Sequence, residues 1–166
     1  MRTSFKIAFV NQSTGLLFKG LAESLSMEWF PSVLYTGDDL GLSTNPPNGR
    51  LAVKGLNSYD RTSVLSRILS GLMYSAKVLI KILRNKPKLV MFVSNPPFVP
   101  FIGLLLKVFC AQRYVVLVYD IFPDVLIELN RLSEKNIIVK LWRRMNKAVY
   151  ENSEAVITIG DYMAKK

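Results

Sequence analysis

Short apolar runs alternate along the chain with longer segments of helical periodicity. Six β-prone runs are candidate strands, at residues 6–10, 32–35, 51–56, 89–93, 114–119 and 155–159. Apolar residues at helical spacing predict helices at 16–29, 61–84, 101–111 and 137–150, and a further helix that begins at 161. Strands that alternate with helices form parallel sheets through right-handed crossovers. The pattern therefore predicts an α/β fold, a Rossmann-like doubly wound parallel sheet of about six strands in the order 3-2-1-4-5-6.

Three of the predicted helices are amphipathic. In helix 61–84 we expect the aliphatic side to pack on the sheet; it consists of Leu65, Ile68, Leu69, Leu72, Leu79 and Leu83. Its other side carries Arg67, Lys77, Lys81 and Arg84, which can face an anionic membrane surface or can simply be solvated. In the two other helices the residues expected to point inward are Leu17, Leu21 and Leu25, and Ile138, Leu141, Trp142, Met145 and Val149.

The composition supports one domain and excludes several kinds of chemistry. Half of the 166 residues are hydrophobic, which is enough to bury a core, and we treat residues 1–166 as a single Rossmann-like domain. Cys110 is the single cysteine and there is no histidine. A disulfide framework, Ser-His-Asp and Cys-His triads, and His or Cys metal sites are therefore excluded within the chain. We expect no metal and no cofactor in this chain.

Basic residues concentrate in the second part of the chain. The net charge is +10, yet residues 1–60 are balanced, and the stretch between Asp60 and Asp120 has nine Lys or Arg and no carboxylate. A run of one sign this long favours an anionic partner: a membrane surface, a phosphorylated ligand or a nucleic acid. A solvated basic surface without a partner is the alternative.

No segment has the pattern of a signal peptide or a spanning helix. The apolar run at 5–10 lacks a small-residue cleavage site, and prolines at 96, 97 and 100 interrupt the longest uncharged stretch, residues 89–106. We therefore expect a cytoplasmic protein that is peripheral on the inner face of the plasma membrane.

The loops after the strands are the candidate binding sites, because doubly wound sheets bind ligands at the carboxyl ends of their strands. These loops are residues 11–15, 94–97, 120–124 and 160–161. In the first loop, Gly15 would let a ligand approach the backbone at a helix N-terminus, which suits a phosphate. Alternatively, Ser13 or Thr14 is only an N-cap. Neither a dinucleotide fingerprint nor a P-loop is present.

Two carboxylates follow the fifth predicted strand. Asp120 lies directly at the carboxyl edge, where it could accept a hydroxyl proton or hold a sugar hydroxyl, or else cap the turn. Asp124 could bind the same ligand, but its place after a proline favours a structural role in the first turn of a helix.

Four short sequence motifs resemble those of a known family. They are SNPPF at 94–98, YDIFPD at 119–124, LWRRM at 141–145 and AVITIGDYM at 155–163. In order and spacing they resemble the N-terminal, acceptor-side domain of family 4 GT-B glycosyltransferases, in the subgroup that builds lipopolysaccharide and capsule. The likeness covers most of the chain and is clearest from residue 88 onward.

The resemblance implies an N-terminal domain that binds the acceptor and docks on the membrane, and a C-terminal domain that binds the nucleotide sugar. The donor domain would then lie outside this chain or on a partner chain, and this chain alone would be inactive. The reaction implied is transfer of a hexosyl-type sugar, with retention, to a lipid-linked or polysaccharide acceptor.

The resemblance also implies roles for residues in the loops. Asp120 would orient the acceptor, and no base is required from this half if the leaving phosphate takes the acceptor proton. The donor phosphate would lie near Ser13, Thr14 and Gly15, and the acceptor would contact Ser94, Asn95, Asp120 and Asp124. The first loop departs from the family, since Gly15 stands where many relatives have paired glycines and Lys19 stands near a usual arginine.

Two other functions compete with this hypothesis. A non-catalytic membrane-binding subunit could recruit a separate catalytic chain. A basic Rossmann-like domain could bind nucleic acid, but its basic residues are interleaved with long aliphatic side chains and no nucleic-acid motif is present. We therefore expect an anionic membrane and a lipid-linked acceptor as partners, and no nucleic acid.

Overall fold

A computed structural model describes residues 5–37, 50–60 and 62–164. Within those residues the sheet has six strands: β1 Ile7–Asn11, β2 Ser32–Thr36, β3 Leu51–Gly55, β4 Leu89–Val93, β5 Tyr114–Val118 and β6 Ala155–Thr158. All neighbours are parallel, and the order is β3-β2-β1-β4-β5-β6. The predicted Rossmann-like fold and strand order are confirmed. Most of the loop predicted at 36–50 lies outside the described residues.

The helices follow the strands as predicted. They are α1 Leu16–Glu28, α2 Val64–Asn85, α3 Pro100–Cys110, α4 Asp124–Glu128, α5 Ile137–Glu151 and α6 Asp161–Ala164. The pattern did not predict α4, because five residues are too few to show a helical period. A capping box begins α2, in which the Ser63 and Ser66 side chains each accept a hydrogen bond from the other's backbone N–H.

The core lies on both faces of the sheet, as continuous apolar strands require. On one face, Ala8 and Val10 of β1 contact a cluster that includes residues of α2, α3 and α5. On the other face, Ile7 and Phe9 pack with Phe18 of α1, and the two phenylalanine rings meet edge to face at 6.3 Å. Three helices therefore cover one face.

The predicted inward side of α2 is wrong for all but Leu79, which is half-buried against the core. The buried residues are Gly71, Tyr74, Ser75, Val78 and Ile82. Tyr74 can be buried because its hydroxyl donates a hydrogen bond to the Tyr35 carbonyl at 2.8 Å. The aliphatic face of α2 instead faces outward with 44–66% of each side chain exposed, and it comprises Leu65, Ile68, Leu69, Leu72, Met73, Ile80 and Leu83.

The inward sides predicted for α1 and α5 are also partly wrong. In α1, Leu17 is 91% exposed and Leu21 is exposed, whereas Leu25 packs on the core as expected. In α5, Val149 is buried as expected and Trp142 is half-buried. The residues of α5 that turn outward are Ile138, Leu141 and Met145. Phe18 and Ala22 in α1, and Val139 in α5, take the buried positions instead, so the helices face the sheet through smaller or aromatic residues.

Candidate functional site

A pocket of about 380 Å³ opens at the carboxyl edge of the sheet. It is lined by Ser13, Tyr59, Arg67, Ser94, Asn95, Pro97, Asp120 and Phe122. These residues come from the loops after β1, β3, β4 and β5 and from the first turns of α2. The pocket therefore lies beside the switch point between β1 and β4, where doubly wound sheets bind their ligands.

Hydrogen bonds from Gln12 and Thr14 hold the loop after β1 in place. The fully buried Gln12 side chain donates hydrogen bonds to the carbonyls of Ser70 at 3.2 Å and Asn57 at 3.4 Å, and its backbone N–H donates to the Asn95 carbonyl at 3.2 Å. The buried Thr14 hydroxyl donates to the Asn11 carbonyl at 3.1 Å. Thr14 thus holds the turn, while Ser13 is half-buried and lines the pocket.

Gly15 is the N-cap of α1, so the alternative in which Ser13 or Thr14 caps this helix is wrong. Gly15 is extended, with φ −75°, and no side chain caps the helix. A Cβ added at Gly15 would meet nothing within 4 Å. Packing therefore does not require glycine here, and the open space leaves the backbone accessible.

The loop after β4 is joined to the end of β5. The buried Ser94 hydroxyl accepts a hydrogen bond from the Tyr119 N–H at 3.0 Å, and the Ser94 N–H donates to the Leu117 carbonyl at 3.0 Å. Burial raises the pKa of the Tyr119 hydroxyl above its usual range. These bonds position Asn95, which is half-buried in the pocket lining.

The structure separates the two predicted carboxylates. Asp120 is exposed and lines the pocket with Ser13 and Asn95. Asp124 lies in a second cavity and forms an ion pair with Arg143 of α5. The hydrogen bond from Arg143 to Asp124 raises the pKa of the guanidinium. The structure thus does not bring Asp124 together with Asp120.

The second cavity has a volume of about 660 Å³ and lies between β5, β6, α5 and α6. Its wall is largely apolar and includes Val118, Val156 and Met163. Burial raises the pKa of the Tyr150 hydroxyl in this wall, and the nearby Asp124 carboxylate raises it further.

The four basic residues predicted on one face of α2 divide into two groups. Arg67 lines the pocket. The basic flank of α2, which is Lys77, Lys81 and Arg84, begins three turns further along the helix. Lys77 donates a hydrogen bond to the Asn57 side chain, and Arg84 is exposed. At 1.5 Å per residue, Arg67 lies about 15 to 26 Å along the helix from this flank.

The pocket chemistry suits a small ligand with several hydroxyl groups. Hydroxyl, amide, carboxylate and guanidinium groups line it, and its volume is at the lower end of the roughly 300–1,000 Å³ of ligand pockets. Among the residues that the structure describes, no cluster of three or more carboxylate or cysteine side chains could hold a metal ion. Nor does any helix of those residues have the length and apolar character to cross a membrane.

Sequence reasoning missed part of the pocket. Phe122 and Pro97 belong to the motifs at 119–124 and 94–98, so the sequence already indicated that they could lie at the site. No sequence pattern pointed to Tyr59, because the β-prone run at 51–56 that precedes it is only weakly defined. Helical spacing groups Arg67 with the other basic residues of α2. It does not show that the first turns of this helix lie at the sheet edge, where Arg67 lines the pocket.

Comparison with known proteins gives one informative match. No protein-family profile matches the chain. A segment of 96 residues, 58% of this chain, is 26% identical to the Probable glycosyltransferase WbjE of Pseudomonas aeruginosa. The match covers 24% of that protein, so the chain spans about a quarter of the relative's length. The chain is therefore distantly similar to a probable glycosyltransferase.

Proposed function

We propose that the chain is the acceptor-binding half of a glycosyltransferase that moves a sugar from a nucleotide sugar to a hydroxyl group of a lipid-linked acceptor. The observation that carries this proposal is the pocket, in which loops after several strands bring hydroxyl-binding side chains together at the carboxyl edge. The distant similarity to a probable glycosyltransferase supports the same reaction class.

Each pocket residue has a role in this proposal. Asp120 and Asn95 orient the acceptor hydroxyl through hydrogen bonds, and Ser94 holds the loop that carries Asn95. The acceptor oxygen attacks the anomeric carbon as the bond to the nucleoside diphosphate breaks, and that diphosphate takes the proton. No base from this half is then required. The open backbone at Gly15, beside Ser13, faces the donor phosphate.

The donor domain belongs to the rest of the enzyme. As the resemblance to GT-B glycosyltransferases implies, the nucleotide binds mainly to a second domain outside these residues or on a partner chain. The acceptor site and the donor site then meet across a cleft at the carboxyl edge of this sheet.

Membrane docking is the second part of the proposal. The aliphatic face of α2 is exposed and the basic flank runs beside it. An amphipathic helix of this kind lies in the membrane interface with its apolar side toward the acyl chains. Each Lys or Arg near an anionic surface contributes about 1 kcal/mol. The docked protein would reach a lipid-linked acceptor without crossing the bilayer.

A transfer assay tests the reaction. The full natural polypeptide is incubated with radiolabelled UDP-glucose, UDP-galactose, UDP-N-acetylglucosamine or GDP-mannose and a detergent-solubilised lipid extract of the source cell. We expect label in the lipid phase. Asp120→Asn should lower kcat/KM roughly ten- to a hundredfold, because it removes a charged hydrogen-bond acceptor.

Glu28→Gln is the matched control, since it removes one exposed carboxylate at the C-terminal end of α1, away from the pocket. It should transfer like the natural protein. If Asp120→Asn and Glu28→Gln are equally active, Asp120 does not orient the acceptor. If no sugar is transferred from any of the donors, the proposed reaction is wrong.

A further inference from the structure

Phe122 places an aromatic ring among the polar groups of the pocket. We propose that this ring is the stacking platform for the pyranose ring of a hexosyl phosphate, whose phosphate binds Arg67. This inference rests on the proposed function, because it specifies which substrate class the acceptor pocket takes. It assigns the pocket a sugar that carries its own phosphate, held between the loop after β5 and the first turns of α2.

The position of the Phe122 ring is set by α5. The Trp142 ring stacks on it with a centroid distance of 6.0 Å and an interplanar angle of 11°. The Phe122 carbonyl accepts a hydrogen bond from the Asn146 side chain, and its N–H donates to the Asp120 carbonyl at 3.2 Å. One residue further along the chain, Pro123 leads into α4. The ring is thus held by side-chain and backbone contacts before any ligand arrives.

Trp142 is a positioning residue in this arrangement. Its ring lies parallel to the Phe122 ring and offset from it, and Phe122 is half-buried in the pocket wall. The buried Trp142 Nε1 has no hydrogen-bond partner among the residues that the structure describes. The contact with Trp142 holds the Phe122 ring in the pocket wall.

A pyranose ring matches the mixed character of the wall. Its axial C–H groups form a small apolar face, while its hydroxyl groups project around the rim. The negative face of an aromatic ring attracts those polarised C–H groups. Around Phe122 the pocket offers Asn95, Asp120 and Ser13, which can hydrogen-bond the rim. The volume of about 380 Å³ suits one sugar residue rather than an oligosaccharide.

Arg67 supplies the complement for a phosphate. A guanidinium binds phosphate oxygens through paired, charge-assisted hydrogen bonds. Arg67 lies on the pocket wall, and its charge is opposite to that of Asp120 in the same lining. An anionic group on the ligand is therefore attracted to this side of the pocket, while the carboxylate of Asp120 is left for a hydroxyl group.

Saturation-transfer difference NMR with this chain tests the stack directly. The probes are glucose 1-phosphate, galactose 1-phosphate and N-acetylglucosamine 1-phosphate, with methyl glucoside and inorganic phosphate for comparison. Irradiation of aromatic protons should saturate the ring protons on one face of a bound pyranose more than those on the other. At least one hexosyl phosphate should bind more tightly than methyl glucoside and inorganic phosphate.

Variants separate the two contacts. Phe122→Leu should weaken binding roughly two- to tenfold and remove the one-sided saturation, and Phe122→Tyr should restore both. Trp142→Phe, which keeps an aromatic ring behind Phe122, should behave like the natural protein, whereas Trp142→Ala should lower the one-sided saturation. Arg67→Gln should abolish the preference for the phosphorylated sugar and leave methyl glucoside unaffected.

The outcomes distinguish this inference from the proposed function. If Asp120→Asn weakens binding of a hexosyl phosphate but Phe122→Leu does not, the sugar pocket stands and the stack is wrong. If no hexosyl phosphate binds although the full polypeptide transfers sugar, the inference is overturned alone. A geranyl-linked glucosyl phosphate that binds more tightly than glucose 1-phosphate identifies a lipid-carried sugar, and equal affinity identifies a free sugar phosphate. Either result retains the proposal.

Discussion

The basic flank of α2 allows a quantitative test of membrane docking. Replacing Lys77, Lys81 and Arg84 with Glu removes three positive charges and adds three negative ones on one side of the helix. Each positive charge near an anionic bilayer contributes about 1 kcal/mol, so losing three costs about 3 kcal/mol before the repulsion of the new carboxylates. The partition coefficient onto anionic vesicles should therefore fall by more than about a hundredfold.

Vesicle co-sedimentation measures this change. The vesicles contain phosphatidylcholine alone or phosphatidylcholine with phosphatidylglycerol. The natural chain should sediment with the anionic vesicles and be released as salt rises, because the Debye length shortens. The triple variant should remain in the supernatant. Circular dichroism and thermal melting should show that it stays folded, since Lys77 and Arg84 are exposed and Lys81 is only half-buried.

One further triple variant makes the result specific. Lys135 precedes α5, and Lys140 and Arg144 lie within it. All three are exposed, and replacing them with Glu changes the net charge by the same amount. That control should keep most of its binding. If both triple variants lose binding equally, net charge explains the result and α2 is not the docking face. If neither loses binding, the electrostatic argument is wrong.

The aliphatic face has its own test, which also checks the orientation of α2. Leu65, Leu69 and Leu72 are each at least half exposed, so replacing all three with Gln should lower the melting temperature little. Vesicle binding should nevertheless fall, because the apolar area that enters the interface is lost. Unfolding of this variant would mean that the leucines are core residues after all.

Two more predictions concern the core and its response to pH. Gly103→Ala should destabilise the chain by ~1–3 kcal/mol in denaturant titrations, because its Cβ would lie 2.8 Å from the Tyr114 ring and 3.0 Å from the Phe92 ring. Gly20→Ala in α1, where a Cβ meets nothing within 4 Å, should instead stabilise it by up to ~1 kcal/mol. Burial raises the pKa of the Tyr114 hydroxyl, which donates to the Val149 carbonyl, to about 12. The contribution of the protonated Tyr114 hydroxyl to the free energy of unfolding should therefore be fully present below pH 10 and should be lost as the pH rises toward about 12. Tyr114→Phe should flatten this dependence of stability on pH. An unchanged slope would contradict this assignment.

The fold could be predicted because its four central strands, β1, β2, β4 and β5, are buried on both faces. Each central strand then reads as an unbroken apolar run, and β4 at Leu89–Val93 has the bounds that the sequence predicts. The alternation of such runs with helical segments leaves few topologies. The short α4 could not be predicted, because its first residues also fit a loop after Pro123.

The orientation of the helices could not be predicted in the same way. More than half of the circumference of α2 is apolar, so its periodicity does not show which arc the sheet covers. The hydroxyl of Tyr74 suggests an exposed position, yet the Tyr35 carbonyl accepts that hydroxyl's hydrogen bond and allows full burial. Gly71 belongs to the buried arc because a Cβ there would lie 2.6 Å from the Phe98 ring. Such close approach depends on the three-dimensional fit.

The candidate site was predicted as far as it is built from strand ends. Ser13, Asn95 and Asp120 follow β1, β4 and β5, whose carboxyl ends must share one edge, and the structure brings them to one pocket. Arg67 and Tyr59 come from the crossover between β3 and β4, and their positions depend on the path by which α2 enters. Asp124 instead forms an ion pair with Arg143. The two residues are far apart in the sequence, so no local pattern shows this contact.

The course of α2 connects the two proposed contacts of the protein. The helix has 22 residues and is about 33 Å long. Its N-terminal turns reach the pocket through Arg67, and the basic flank lies toward its other end. A helix that lies in the plane of the interface keeps its whole length at the level of the headgroups. Docking through the aliphatic face would bring the N-terminal turns of α2 to the membrane surface, with Arg67 on the opposite side of the helix, where it lines the pocket. A sugar phosphate on a lipid carrier could then enter the pocket while its hydrocarbon chain stays in the bilayer, which gives one physical reason for the same helix to carry both surfaces.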